Sequence, residues 1–269
     1  MDAQSRIQRG GILLLLSRHR AADSLYAAPE VSVALFVEDQ PVTTWRCSPS
    51  RLSELAAGWL LVEGVIASPA EILDIDQREI RAAHTTIDAP TVRIDVRLAE
   101  GTPERLEESR RHPIPHSIAG RSATSVDWLE SDWRQLYERM YAHAPLRAAG
   151  GGVHTGALVR DRELIALEED VGRHNVVDKL VGRAMMEELQ LAGSVLLLSG
   201  RLSGSIAAKA SRAGLAGLIS LSIPTTLAVR IATRSGLTLV GRARRGTPLV
   251  YSPHTASPDE ERRSESEEA

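Results

Sequence analysis

The chain has 269 residues, of which 43% are hydrophobic and 25% are charged, and its formal net charge is −3. This length can form one large domain or two modest ones. The near-neutral charge and the 3% aromatic content argue against nucleic acid and membrane surfaces as partners. The single cysteine, Cys47, excludes an internal disulfide and a cysteine-rich metal site.

Residues 1–28 are predicted to form a partly mobile arm, whose apolar run at 12–16 is too short for a signal peptide or a membrane span. We therefore expect a cytoplasmic protein. The following region, 29–145, is predicted to be a smaller α+β unit. Alternating and β-branched runs predict its four strands, at 31–38, 42–47, about 77–84 and 91–98.

A helix is predicted between the second and third of these strands. Ser48 can cap it, Pro49 suits its first position and Gly64 suits its end. Residues 99–124 have no hydrophobic period and are predicted to be an unusually long loop. An amphipathic helix is predicted to follow at about 126–141.

Beyond a domain boundary placed near Pro145, residues 146–254 are predicted to form an α/β domain. A hairpin comes first, with strands in G-V-H-T-G-A-L-V and L-I-A-L-E-E-D, and a helix then extends to about residue 190. Three short apolar runs, S-V-L-L-L-S-G, L-I-S-L-S and L-T-L-V-G-R-A-R-R, alternate with helices. This alternation predicts a mostly parallel sheet with right-handed crossovers. The charged tail, 255–269, is predicted to be disordered.

Three segments are predicted to lie beyond the carboxyl ends of these strands, where open α/β sheets bind ligands. The first, S-G-R-L-S-G at 199–204, offers backbone N–H groups and Arg201 to an anion. The second, S-I-P-T-T at 222–226, can equally be a plain helix cap. The third, V-G-R-A-R-R-G at 240–246, holds three arginines and can equally be a solvated strand end. Together the three favour a phosphate-bearing ligand.

The segment 168–179, E-E-D-V-G-R-H-N-V-V-D-K, is unusually rich in chemically capable side chains. Its three consecutive acids precede a predicted helix and would favour the positive end of that helix, so routine capping explains them. Capping explains the later residues less easily, and helical spacing places His174 and Asp178 on one face. His154 in G-G-V-H-T-G is a further candidate, although a lone histidine is more often structural.

These motifs resemble those of the formate dehydrogenase accessory protein family, FdhD. The matching stretches occur in family order over about residues 30–252: L-S-E-L-A-A-G-W-L-L-V-E-G-V-I, G-G-V-H-T-G-A-L, E-D-V-G-R-H-N-V-V-D-K, S-G-R-L-S, K-A, P-T-T-L-A-V and T-L-V-G-R-A-R. The resemblance implies a cytidine-deaminase-like C-terminal domain and a homodimer. It also implies a ligand, the bis-molybdopterin guanine dinucleotide form of molybdenum cofactor. The implied role is to sulfurate this cofactor for a formate dehydrogenase, with sulfur taken from a cysteine desulfurase.

The resemblance and the three turns together give a set of expected cofactor-binding residues. They are His154, Asp170, Arg173, His174, Asn175, Asp178, Lys179, Ser199, Gly200, Arg201, Ser203, Lys209, Thr225, Val240, Gly241, Arg242, Ala243, Arg244 and Arg245. Arginines and the 199–204 amides are expected to hold the phosphates, and the 168–179 segment is expected to shape the site. No metal-ligating residues are expected.

The family pattern breaks in the 99–124 loop. Family members carry C-G-x-C-G there, because sulfur transfer needs a thiolate that can carry a persulfide. Here the corresponding positions in R-H-P-I-P-H-S-I-A-G-R-S are His116 and Ala119. A deaminase is also disfavoured, since the chain has no P-C-x-x-C zinc signature. Cys47, at a predicted strand end, is expected to be a small structural hydrophobe.

The leading interpretation is a chaperone that binds the cofactor and delivers it to the catalytic subunit of a formate dehydrogenase, without carrying persulfide itself. A first alternative is an active sulfurtransferase that uses Cys47 or a partner's cysteine. A second alternative is a guanine-nucleotide-binding regulator, and GDP would then mimic a fragment of the cofactor. Contacts with a cysteine desulfurase and with cofactor-synthesis proteins are further expectations.

Overall fold

The computed structural model of the protein describes residues 27–80, 91–111, 129–242 and 248–252. In chain order its elements are β1 (Val31–Val37), β2 (Gln40–Cys47), α1 (Leu52–Val62), β3 (Ile72–Ile80), β4 (Thr91–Leu98), α2 (Pro103–Arg111), α3 (Leu129–Ala142), α4 (Pro145–Ala149), β5 (His154–Arg160), β6 (Glu163–Asp170), α5 (Arg173–Met186), β7 (Val195–Leu198), α6 (Gly204–Arg212), β8 (Gly217–Ser220), α7 (Thr226–Ser235), β9 (Thr238–Gly241) and β10 (Leu249–Ser252). Most of the predicted N-terminal arm and the whole predicted tail lie outside the described residues. Among the described residues, no helix is both long and apolar enough to span a bilayer.

The strands form two sheets, which confirms the mixed α/β class. The first sheet has the order β2-β1-β4-β3 and the second has the order β10-β9-β8-β7-β5-β6. In the second sheet β7, β8 and β9 pair in parallel, whereas β5 is antiparallel to β6 and β7, and β10 is antiparallel to β9. The expected parallel arrangement is therefore limited to three central strands. The tight turn at Asp161 and Arg162, both with positive φ, can join β5 and β6 only as an antiparallel hairpin.

The start of α1 differs from its prediction. The helix begins at Leu52 rather than at Pro49, and its N-cap residue is Arg51, which makes no side-chain cap. Ser48 is not the cap, since its Oγ has no hydrogen-bond partner. Its backbone N–H and carbonyl instead bind a buried aspartate and a buried lysine from the second half of the chain. The predicted end is correct, since Gly64 follows the helix with a φ of +79°.

Three other boundaries differ from the predictions. The region predicted as a loop at 99–124 contains α2, a mostly charged helix whose Leu106 is buried in the core. The loop prediction is therefore wrong for 103–111, and 112–124 lies outside the described residues. β3 begins at Ile72 rather than near 77, and α5 ends at Met186 rather than near 190.

Helices cover both faces of the second sheet. On one face, Leu196 and Leu218 belong to the same buried cluster as residues of α5, α6 and α7. On the other face, Tyr137 and Met140 of α3 pack with Leu197 of β7. The amphipathic helix predicted at about 126–141 is thus confirmed as α3. It packs on the second sheet although it precedes Pro145, and the division into domains there stays a prediction.

Helices α1 and α5 cross in direct backbone contact. A Cβ atom added to Gly58 would lie 1.8 Å from the carbonyl oxygen of Asp178, and one added to Gly182 would lie 1.8 Å from that of Glu54. Residues with a side chain cannot approach so closely, so both positions require glycine. The crossing fixes α5 against α1, and the first turn of α5 reaches the edge of the second sheet where three strand-to-helix turns meet.

Candidate anion-binding site

The carboxyl ends of β6, β7, β8 and β9 lie at one edge of the second sheet. The strand register brings them together, because Leu198 pairs with Ser220 and Ile219 pairs with Val240. Helices α5, α6 and α7 begin at this edge, directly after β6, β7 and β8. The turns at 199–204 and 222–226 and the end of β9 therefore meet as the sequence predicts. Ala243, Arg244 and Arg245 lie outside the described residues, and their role stays a prediction.

Cationic side chains gather beside the 199–204 turn. A Cβ atom added to Gly200 would lie 3.0 Å from the Cβ of Arg173 and 3.2 Å from the Nδ1 of His154. Burial and the nearby Arg201 lower the pKa of Arg173. Among the described residues no carboxylate forms a salt bridge with either arginine, and the Nε of Arg173 is buried without a hydrogen-bond partner. Such a pair of guanidinium groups is stabilised by an anion.

Both histidines near this pair are held neutral. Burial lowers the pKa of His154, and the charges of Arg173 and Arg201 lower it further against the opposing effect of Asp170. Burial lowers the pKa of His174 to about 4, helped by Arg173 and Lys209. At neutral pH the two imidazoles therefore offer hydrogen bonds, while the arginines supply the positive charge of the site.

A chain of hydroxyl groups joins α5 to the first turn of α6. The Nε2 of His174 lies 2.9 Å from the Oγ of Ser205, which lies 2.9 Å from the Oγ of Ser203. Ser203 occupies the N-cap position of α6 but makes no capping hydrogen bond, and no acidic residue lies in the first turn. The first N–H groups of α6 are thus left without a side-chain cap. Sequence reasoning missed Ser205, whose only signal is its place in S-G-S.

Buried and partly buried hydrogen bonds hold the 199–204 turn and the adjacent strand ends in place. The Oγ of Ser199 accepts a hydrogen bond from the N–H of Thr155 at 2.9 Å. The hydroxyl of Ser220 donates to the carbonyl of Gly200 at 2.5 Å. The hydroxyl of Tyr137, on α3, lies 3.0 Å from the carbonyl oxygens at the ends of β7 and β8. Sequence reasoning missed Ser220 and Tyr137, because their role depends on strand register and on a helix from elsewhere in the chain.

The 222–226 turn and the end of β9 have structural roles. The Oγ1 of Thr225 accepts a hydrogen bond from the N–H of Ala228 at 3.2 Å, so Thr225 is the helix cap that was the alternative interpretation. Val240 is buried, and Gly241 packs against Pro224 and Tyr251. Arg242 is exposed at the edge, and its backbone N–H donates to the carbonyl of Ser222 at 2.8 Å.

Five of the expected site residues lie inside the protein, where they form two charge networks. These residues are Asp170, Asn175, Asp178, Lys179 and Lys209. In the first network Lys179 lies 2.6 Å from Asp170 and donates to the carbonyl of Ser48 at 2.9 Å. Asn175 donates to Asp170 at 2.8 Å. In the second network Lys209 bridges Asp178 at 2.7 Å and Glu63 at 2.9 Å. These networks lie behind the site and position α5 and α6.

The three acids at 168–170 do not jointly cap α5. Glu169 accepts hydrogen bonds from the first N–H groups of α4, at Leu146 and Arg147. Glu168 pairs with Arg51 and with a second arginine on α5. Only Asp170 contacts the start of α5, where it accepts from the N–H of Gly172 at 2.8 Å. The expectation fails for Glu168 and Glu169 because each has partners elsewhere. Asp170 is the last residue of β6 and therefore lies next to the start of α5.

Cys47 is buried at the end of β2 and is 0% exposed. Burial raises the pKa of its thiol to about 12, although the charge of Lys179 opposes this effect. At neutral pH the side chain is therefore a thiol without access to a donor of sulfur. His116 and Ala119 lie outside the described residues.

Comparison with known proteins identifies the family. The model of the FdhD/NarQ family matches residues 28–257. The chain belongs to the FdhD/NarQ family. A protein of Streptomyces avermitilis named sulfur carrier protein FdhD is 36% identical over 252 residues, which cover 86% of this chain and 87% of that protein. A protein of the same name from Mycobacterium tuberculosis is 31% identical and covers 87% of this chain and 94% of its own.

A solved structure shares the fold. The crystal structure of a putative formate dehydrogenase accessory protein from Desulfotalea psychrophila aligns with a TM-score of 0.62 and 24% identity. The alignment covers 86% of this chain and 88% of that one. The predicted membership in this family is thus confirmed, together with a mixed α/β fold that extends over most of the chain.

Proposed function

We propose that the protein binds bis-molybdopterin guanine dinucleotide at the edge of the second sheet and delivers it, in the cytoplasm, to the catalytic subunit of a formate dehydrogenase. The observation that carries this proposal is the pair formed by Arg173 and Arg201, which no carboxylate of the described residues neutralises. The pyrophosphate groups of the cofactor are anions that match two guanidinium groups. Relatives with accessory and sulfur-carrier names support the link to formate dehydrogenase.

The residues at the edge fit the phosphate part of this cofactor. Gly200 has no side chain, so Arg173 and His154 can pack directly on the 199–204 turn and bring a guanidinium group and an imidazole to it. The uncapped first turn of α6 offers N–H groups, and Ser203 adds a hydroxyl. When bound, the cofactor supplies the molybdenum centre for the client enzyme. The protein supplies charge, hydrogen bonds and orientation.

We further propose that this chain does not carry persulfide itself. Its only cysteine is fully buried, with a thiol pKa of about 12. Any sulfur added to the cofactor would then come from another protein, such as a cysteine desulfurase or a cofactor-synthesis protein. A homodimer is part of the proposal on family grounds.

The main alternative is a sulfurtransferase that uses Cys47. Replacing Cys47 with Ala tests it directly, since that variant can form no thiolate on this chain. We expect unchanged activation of formate dehydrogenase and a free energy of unfolding lowered by about 1 kcal/mol, because a small buried side chain is removed. Loss of activation in a variant that still folds and still binds cofactor would instead support the sulfurtransferase.

Analysis of the bound ligand tests the proposal itself. The protein would be purified from cells that make molybdenum cofactor, and the bound molybdenum would be measured by elemental mass spectrometry. Released guanine nucleotide would be measured by chromatography. Two nucleotides per metal identify the intact cofactor. Nucleotide without metal would favour the guanine-nucleotide regulator, and absence of both would overturn the proposal.

Arginine variants connect the bound ligand to the site. We expect Arg173→Ala and Arg201→Ala each to lower the bound molybdenum by about tenfold or more, since a charge-assisted hydrogen bond contributes about 1.5–3 kcal/mol. Arg234→Ala is the matched control, because Arg234 is exposed in the last turn of α7, at the end away from the site. Equal loss in all three variants would contradict binding at this edge.

A further inference from the structure

We infer that an acidic tail of this chain, residues 259–268, binds to a basic face of the second sheet and competes there with anionic ligands. The basic face consists of three exposed arginines, one on the 199–204 turn, one on α7 and one at the end of β9: Arg201, Arg230 and Arg242. The competition rests on the proposed function, because Arg201 belongs to the candidate anion-binding site. The contact between tail and face does not rest on it.

Charge is divided sharply along the C-terminal part of the sequence. Between Glu188 and Asp259 the sequence has no acidic residue, whereas it has eight lysines and arginines. The acidic tail, D-E-E-R-R-S-E-S-E-E, then holds six acids and two arginines. Acidic C-terminal runs of this kind commonly serve as interaction tails. A long stretch without acids, followed directly by an acidic run, favours contact between the two.

The arginines of the basic face have no carboxylate partner within the described ranges of the chain. On the first sheet, by contrast, Arg78 pairs with Asp95 at 3.1 Å and Arg97 pairs with Asp74 at 3.0 Å. Those two arginine side chains are 55% and 68% exposed, so exposure alone does not explain why an arginine lacks a partner. The basic face therefore has positive charge available to a carboxylate from outside the described residues.

The chain leaves the second sheet on the side opposite to its carboxyl edge. β10 is antiparallel to β9, with Leu249 paired to Gly241 and Ser252 paired to Leu239. Ser252 therefore lies away from the edge at which β9 ends. Helix α7 begins at the carboxyl edge and returns the chain to the start of β9. The end of α7 and the exit of the chain thus lie on the same side of the sheet.

The acidic tail is long enough to return from this exit to the carboxyl edge. Three residues of β10 separate Ser252 from the level of Leu249, a distance of about 10 Å. The segment from Ser252 to Asp259 can extend to about 23 Å, and the other acids lie further along the chain. Arg230, about one turn from the start of α7, lies on the way to Arg242.

Attachment to the same chain favours this tail over a separate acidic partner. Single exposed ion pairs contribute little, so a free acidic peptide would bind such a face weakly. A segment tethered by a short linker has an effective concentration in the millimolar range, which compensates for weak individual contacts. A separate acidic protein and the tail of a second copy lack this advantage. The tail of a second copy is treated as an outcome of the test.

A spin label on the tail tests the contact directly. Cys47 is buried and its thiol has a pKa of about 12, so the cysteine introduced by Ser266→Cys can be labelled selectively. Electron paramagnetic resonance of the full chain should show a slowed label at about 20 mM NaCl and a freely moving label at about 0.5 M NaCl, because salt screens exposed charges. Arg230→Gln/Arg242→Gln should free the label at low salt. Arg97→Gln is the matched control, since Arg97 pairs with Asp74 on the first sheet.

Calorimetry with pyrophosphate tests the competition. The tail-neutral variant carries Asp259→Asn and Glu→Gln at the other five acidic positions of the tail. We expect it to bind pyrophosphate about three- to tenfold more tightly than the unmodified protein at low salt, and within about twofold at 0.5 M NaCl. Arg262→Gln/Arg263→Gln is the matched control, because it changes the same segment and keeps the acids. Its affinity for pyrophosphate should not rise.

Several results would contradict the inference. A label that moves freely at low salt would overturn it, and so would a slowed label that the two arginine substitutions leave unchanged. Slowing that increases with protein concentration would place the tail on a second copy and would overturn the contact within one chain. Equal pyrophosphate affinity with and without the tail acids would overturn the competition. If neither form binds pyrophosphate, the proposed function and the competition fail together, whereas the label still decides whether the tail binds the basic face.

Discussion

The 168–179 segment contains two groups of residues that alternate in sequence and differ in environment. Asp170, Asn175 and Lys179 are between 0% and 6% exposed and bind one another or distant backbone groups. Arg173 and His174 are partly exposed at the edge of the second sheet. Helical spacing alone does not separate the two groups, because Asp178 shares a face with His174. Asp178 is nevertheless 1% exposed and pairs with Lys209.

The comparison shows that a dense polar motif is not equivalent to a dense active site. Six of the eight polar side chains in the segment are buried, and only Arg173 and His174 reach the solvent edge. The buried group is satisfied by partners within the protein, whereas the charge of Arg173 has none among the described carboxylates. Stability and ligand binding should therefore respond to different substitutions within the same twelve residues.

The largest effect is expected for the buried ion pair. Lys179→Met would leave the carboxylate of Asp170 buried without its ammonium partner, which should lower the free energy of unfolding by about 3–5 kcal/mol. Urea denaturation followed by circular dichroism measures this loss. The double variant Asp170→Asn/Lys179→Met should be less destabilised than the sum of its single variants. A loss below about 1 kcal/mol would show that the pair does not hold α5.

The glycine crossing is expected to give the next largest effect. Gly58→Ala would place a methyl group 1.8 Å from the carbonyl oxygen of Asp178, so the helices must separate. We expect the free energy of unfolding to fall by about 3 kcal/mol, which is at the upper end of the cost of overpacking a protein core. Gly101→Ala is the control, because Gly101 has open space around it and only its φ of +81° opposes a side chain. The free energy of unfolding of Gly101→Ala should fall by about 1 kcal/mol. An equal decrease in the two variants would argue against close packing of α1 on α5.

The pH dependence of stability sharpens the contrast at His174. Its pKa is lowered from 6.5 to about 4 by burial and by Arg173 and Lys209. The unfolded chain therefore binds a proton at higher pH than the folded protein does. The contribution of neutral His174 to the free energy of unfolding is fully present above pH 6.5 and is lost as the pH falls towards 4. In His174→Gln the decrease in stability between pH 6.5 and pH 4 that is due to this histidine should be absent, as measured by melting curves at several pH values. If stability falls with pH as steeply in the variant as in the unmodified protein, the lowered pKa of His174 is contradicted.

The smallest effect on stability is expected at Arg173. Arg173→Ala removes a charge that is partly buried and close to Arg201, so the free energy of unfolding should change by no more than about 0.5 kcal/mol. Ligand affinity should nevertheless fall about tenfold or more. A destabilisation above about 2 kcal/mol would place Arg173 with the buried group and would remove the distinction between the two.

Local sequence patterns were sufficient for most elements and insufficient for the contacts among them. The apolar run of β7 and the hairpin of β5 and β6 follow from hydrophobicity and turn chemistry. The role of Lys179 does not, because its partner at Ser48 is 131 residues away and no local pattern records that distance. Likewise, nothing near Tyr137 indicates that its hydroxyl reaches strand ends on another part of the chain.

The bond between Lys179 and Ser48 also has a consequence for the order in which the protein is made. The acceptor emerges from the ribosome 131 residues before the donor. At about 5–20 residues per second, that interval is about 7–26 seconds. During this time the β1–β2 hairpin is complete, while the helix against which α1 packs has yet to be synthesised. Until α5 is made, the first half of the chain therefore exposes apolar surface, and chaperones that bind unfolded chains are expected to bind it.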